Sequence, residues 1–177
     1  MIGFTSMFAS SMLVLSLALP RGAAPIDSAT QRELTCLTEV VYFEAAEESA
    51  AGKLAVATVV MNRTESKHFP KTICGVVYQR GKKGCQFSWV CGHRIRRDPV
   101  LFAKAEDVAR SALIDSVRLA PIKKAVYFHN VDVWPRWMQV ELVRVAKIGR
   151  HIFYAFPQRS NHDAPSNTDQ TTRRSSA

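Results

Sequence analysis

The chain contains no CxxC pair, no HExxH and no nucleophile-elbow pattern around a serine. Its four cysteines, at 36, 74, 85 and 91, are spaced by 38, 11 and 6 residues. Structural zinc sites usually show closely spaced pairs, so zinc is the weaker use for these thiols. The missing HExxH removes a common zinc-hydrolase signature, and Ser88 lacks the context of an activated nucleophile. No repeat period is present, which excludes a solenoid. Acidic side chains are the scarcer sign, 15 against 24 Lys and Arg, for a net charge of +9. A basic surface attracts polyanions, and no groove-reading motif singles out nucleic acid among them.

Charge is absent altogether from Met1 to Leu19. The apolar heart of that segment, Met7–Leu19, is short for a membrane span and suits a signal-peptide core. No Lys or Arg precedes it, and an uncleaved anchor is the competing reading. Either one sends the domain out of the cytoplasm, to the periplasm or cell envelope or into the medium, with transient membrane contact through the N-terminal segment. Disulfides fit such an oxidising compartment. Four cysteines allow three pairings. Cys85 with Cys91 is locally natural, and it leaves Cys36 with Cys74.

The expected layout is a signal peptide or anchor over 1–24, a linker over 25–30, one domain over 31–156 and a disordered tail over 157–177. The tail is polar and has no apolar pattern. Within the domain, a helix is expected from about Thr30 to Glu47. Ser49 caps a second helix, apolar nearly all round from Ala50 to Met61 and so buried. Gly52 inside it weakens the helix unless close packing compensates. Thr72 caps a short helix through Tyr78, and residues 79–97 form a basic loop. Pro99 opens another helix that ends near Val117. Val143–Ile148 and His151–Phe156 read as strands around Gly149–Arg150. Helices first and a small antiparallel sheet or hairpin later make an α+β domain.

The chemistry centres on Cys36–Ala45. On a helix, Leu34, Leu37, Val41 and Ala45 form one stripe, with Val40 and Glu44 beside it. A carboxyl group at that border loses hydration, so Glu44 is expected to hold its proton near neutral pH, as a general acid must. The competing reading is a border glutamate that snorkels to water or pairs with a Lys or Arg. Glu39 points about 140° away on the same helix. Glu47, Glu48, Asp98 and Asp132 remain as second carboxylates, and none stands out. Gln86, Phe87, Ser88 and Trp89 would sit inside the small Cys85–Cys91 ring, either binding substrate or anchoring the loop in the core. Tyr127, Phe128, Asn130, Trp134 and Trp137 could line a sugar groove, since aromatic faces stack on pyranose rings. His129 and His151 show no metal-ligand spacing, and no metal or cofactor is expected.

These pieces, in this order, resemble the SleB-like, spore-cortex-lytic type of bacterial cell-wall hydrolase. The resemblance runs over roughly residues 34–155. It rests on Val41-Tyr42-Phe43-Glu44-Ala45 with Glu48 and Gly52, on Val56-Ala57 through Val60-Met61-Asn62-Arg63, and on Phe69 to Tyr78. It continues in Cys85-Gln86-Phe87-Ser88-Trp89, Tyr127-Phe128-His129-Asn130, Trp137 and Ile148 to Tyr154. Ala46 stands where the family usually has Arg, Ser49 and Lys53 where Pro and Gln are common, and Arg150 where Asn is common. The resemblance implies a lysozyme-like domain, expected as a monomer, that acts on peptidoglycan glycan strands with Glu44 as the catalytic acid. The substrate groove is expected to draw on Tyr42, Gln86, Phe87, Ser88, Trp89, Tyr127, His129, Asn130, Trp137 and His151. It leans toward a lytic transglycosylase, with water-driven muramidase chemistry or an inactive wall-binding module as the rival readings.

Overall fold

The computed structural model describes residues 26–82, 84–92, 96–134 and 141–158. The expected signal segment or anchor, nearly all of the tail, and Trp137 lie outside the described residues.

Helix α1, Ser28–Ala45, starts two residues before the expected Thr30, because Asp27 caps it by accepting from the N–H groups of Ala29 and Thr30. The linker therefore gives up its last residues to the helix. The apolar stripe is where the spacing put it: Leu34, Leu37, Val40, Val41 and Ala45 are all buried. The turn after Ala45 precedes Ser49, whose hydroxyl accepts from Gly52 N–H and caps α2, Ala50–Glu65. Helix α2 is buried on every side along Ala55–Val60, as a central helix must be. The close approach that Gly52 permits is to the Glu48 side chain rather than to another helix. A Cβ at 52 would meet the Cβ of Glu48 at 2.7 Å.

Thr72 caps the short α3, Ile73–Val77, by accepting from Gly75 N–H, and Glu33 of α1 accepts from the N–H groups of Ile73 and Cys74. The Cys36–Cys74 disulfide ties the same two helices covalently. Part of the expected basic loop forms a minimal hairpin, β1 (Arg80–Gly81) and β2 (Gly84–Cys85), followed by one helical turn, α4 (Ser88–Cys91). Two-residue strands carry no alternation, so no sequence period could have announced them. The Cys85–Cys91 disulfide closes the ring.

Asp98 caps α5, Pro99–Leu113, which ends four residues before the expected Val117. Its buried face is Ala105, Ala109 and Ala112 rather than the larger Val100, which is exposed. Small side chains there let α5 lie close on α1 and α2, while Leu101, Phe102 and Leu113 pack against the same core beside them. After a 3-10 turn at Ala120–Ile122, three antiparallel strands follow: β3 (Tyr127–Asn130), β4 (Val143–Ile148) and β5 (His151–Ala155), in the spatial order β3-β5-β4. Asn62 of α2 holds this layer by donating to the carbonyls of Ile122 and Ala125, at 3.0 and 2.8 Å.

Candidate active site

A cleft of about 910 Å³ opens between the C-terminal end of α1, the β1–β2 ring and strands β3 and β5. This is the size of a site for a ligand larger than a monosaccharide. Its walls are Phe43 and Glu44 from α1, Arg63 from α2, Gln79, Gly81, Lys82 and Gly84 to Ser88 from the hairpin and ring, Tyr127 to Asn130 from β3, and Val133 and His151.

Glu44 lies half-buried on this wall, where the helix stripe meets the opening. Burial pushes its carboxyl above the ordinary carboxylate range. The Trp89 indole N–H and the charge of Arg63 pull the other way without prevailing. The Trp89 N–H is buried and has no hydrogen bond of good geometry. Its contact with the carboxyl is therefore a weak one, near enough to favour the ionised form but not to fix it. Among the described residues Glu44 makes no ion pair.

The other acids of the region are committed elsewhere. Glu39 pairs with Arg97 and accepts from the Tyr78 hydroxyl. Glu48 accepts from Arg150 N–H at 3.1 Å and faces His151 Nδ1 at 3.7 Å. Asp98 caps α5, Asp132 pairs with Arg150 at the surface, and Glu47 is exposed. Among the described residues that line the cleft, Glu44 is the only carboxylate.

Eight of the expected site residues meet on the cleft wall: Glu44, Gln86, Phe87, Ser88, Tyr127, His129, Asn130 and His151. Phe87 also belongs to the core, where it anchors the loop. Trp89 stands behind the wall, stacked on Phe43. Tyr42 is a correction. It is buried between Phe43 and Phe102, and its hydroxyl accepts from Asp98 N–H at 2.8 Å. On a helix, Tyr42 and Glu44 point about 200° apart, so both could not face one groove. His129 is held by its own surroundings: Nδ1 lies 2.8 Å from the Asn130 carbonyl and Nε2 lies 3.0 Å from the Tyr154 hydroxyl. His151 is kept below the usual histidine range by burial, against the opposing pull of Glu48.

Arg63 was not anticipated as a site residue. At the polar end of an apolar helix it reads as a helix stop. The only signal was its place in the Asn62–Arg63 pair, where Asn62 proves to bind the strand layer. Arg63 is 2% exposed, and its Nε donates to the Val126 carbonyl at 2.7 Å.

Residues 47–154 match the family model described as Cell Wall Hydrolase. The match begins just after Glu44. A spore cortex-lytic enzyme of Oceanobacillus iheyensis is 30% identical over 131 residues, covering 70% of this chain and 42% of that protein. The spore cortex-lytic enzyme of Bacillus subtilis is 28% identical, covering 70% of this chain and 38% of its own length. The chain thus spans less than half the length of these curated relatives. Among solved structures, it superposes on the catalytic domain of the Bacillus cereus SleB protein with a TM-score of 0.51 and 25% identity, covering 90% of that chain. The catalytic domain of the germination-specific lytic transglycosylase SleB from Bacillus anthracis gives 0.52 and 25%, covering 77% of this chain and 99% of that one.

Proposed function

The chain belongs to the cell wall hydrolase family, and from that premise we propose that it cleaves the MurNAc–GlcNAc bond of peptidoglycan as an exported lytic transglycosylase. The observation that carries the reading is a single half-buried carboxyl, Glu44, on the wall of a cleft that presents no second one among the described residues. Hydrolysis at a sugar carbon normally employs two carboxylates, one of them to activate water or to form a glycosyl–enzyme bond. A transglycosylase needs one. Glu44 gives its proton to the glycosidic oxygen as the C1–O bond breaks. The resulting carboxylate then takes the proton of the muramyl 6-hydroxyl, whose oxygen bonds to C1. Glu44 ends protonated, and the product carries a 1,6-anhydro ring.

Aromatic and amide groups would hold the glycan: Phe87 and Tyr127 by ring faces, Gln86, Ser88 and Asn130 by hydrogen bonds. The two disulfides support export, since they are stable in an oxidising compartment. The printed name of the Bacillus anthracis domain, a lytic transglycosylase, points the same way.

The test is digestion of purified sacculi, with muropeptide masses recorded. Anhydro products, lighter by one water than reducing-end products, support the proposal. Reducing-end products alone assign the attack to water, and intact sacculi with tight binding make the domain a wall-binding module.

A further inference from the structure

Arg63 presents a buried charge that the fold alone does not account for. Its guanidinium carbon lies 5.1, 5.5 and 5.8 Å from the ring centroids of Phe69, Phe87 and Tyr127. Nε is satisfied by Val126, while Nη1 is buried with no hydrogen-bond partner among the described residues. No carboxylate lies within ion-pair distance of it there. A buried cation with an unused donor is costly, and ring faces return only part of that cost. A neutral side chain would serve the structural task of reaching the Val126 carbonyl. Arg63 lines the same cleft wall as Glu44.

We infer that Arg63 is the counter-ion Glu44 acquires once it has given up its proton, with the free Nη1 N–H holding the carboxylate ready to act as base. The inference rests on the proposed role of Glu44. The two half-reactions alternate the charge on that side chain, and in apolar surroundings the ionised state needs a fixed opposite charge. A guanidinium already charged and anchored through Nε on the Val126 carbonyl supplies it once the carboxylate turns toward it. Burial lowers the Arg63 pKa only to about 10, so it stays charged at neutral pH. The remaining titratable groups on this wall are Lys82, Tyr127, His129 and His151. Of the charged groups, Arg63 is the one whose field is felt at Glu44.

The test needs no glycan. The Glu44 carboxyl is followed by carbon-detected NMR across pH in the wild-type domain, in Arg63→Gln and in Arg63→Lys. The expected result is a Glu44 titration that moves upward in Arg63→Gln and returns toward wild type in Arg63→Lys. In sacculus digestion, Arg63→Gln should lose at least tenfold in kcat with KM little changed, and Arg63→Lys should recover part of it. Should Arg63→Gln not fold, the Arg63 Nη resonances of the wild type serve instead. They should shift with the Glu44 titration and lose that step in Glu44→Gln. A Glu44 titration indifferent to residue 63, or Nη resonances blind to Glu44, overturns the pairing. Coupled titration with intact sacculi would leave the pairing standing and remove the transglycosylase reading.

Discussion

The ring of Phe43 lies on the indole of Trp89, with centroids 4.5 Å apart and planes 25° apart. Phe43 precedes Glu44 on α1, and Trp89 sits inside the disulfide ring, so this stack joins the acid's helix to the cleft's loop. Trp89→Phe keeps the stacking and removes the N–H that favours ionised Glu44. The alkaline limb of activity is expected to move to higher pH, with stability changed by less than about 1 kcal/mol. Trp89→Ala removes the stack as well and should cost about 2 kcal/mol, read from denaturant unfolding.

The raised pKa of Glu44 has two consequences of fixed sign. As general acid it must be protonated, so activity falls as pH rises through its folded-state value. The folded protein also holds that proton more tightly than the unfolded chain does. Stability contributed by the neutral carboxyl is therefore complete below the ordinary carboxylate range and is lost as pH climbs through the raised value. Glu44→Gln removes this loss. The variant should be more stable than wild type at neutral pH, with the gap closing under acid conditions in thermal scans.

The two disulfides are expected to divide their labour. Cys36–Cys74 spans 38 residues and joins core helices. Its replacement by two serines should cost about 4 kcal/mol on chain-entropy grounds. Cys85–Cys91 spans 6 residues, for about 2 kcal/mol on the same grounds. That ring carries Gln86, Phe87 and Ser88 on the cleft wall, so the Cys85/Cys91 double serine variant should lose more activity than stability. Parallel measurement of Tm and sacculus clearance checks the split.

Gly149 turns the β4–β5 hairpin with φ of 53°, and a Cβ there would overlap Oε2 of Glu48. Gly149→Ala is expected to cost about 2 kcal/mol through the left-handed backbone and the displaced carboxylate together. In a Glu48→Ala background the same substitution should cost only the backbone part, about 1 kcal/mol. A double-mutant cycle reads the difference.

Helix α1, its stripe and the placement of Glu44 at the edge were legible because a 3.6-residue period carries its own geometry. The caps at Ser49 and Thr72 and the hairpin at Gly149–Arg150 were legible from local chemistry. Ala105 and Ala109 on the buried face of α5 were not, because alanines carry too little bulk to announce a buried stripe. Arg63 was not, because its meaning comes from Phe69, Phe87, Tyr127 and Val126, which only folding brings around it. Tyr42 was misdirected by its nearness in sequence to Glu44, although a helix turns the two side chains apart.

The most direct test of the central claim compares wild type with Glu44→Gln on purified sacculi, scoring both cleavage and binding. Loss of about 100-fold or more in released muropeptides, with binding and the folded spectrum retained, is the predicted result. Undiminished release by the glutamine variant would contradict the account.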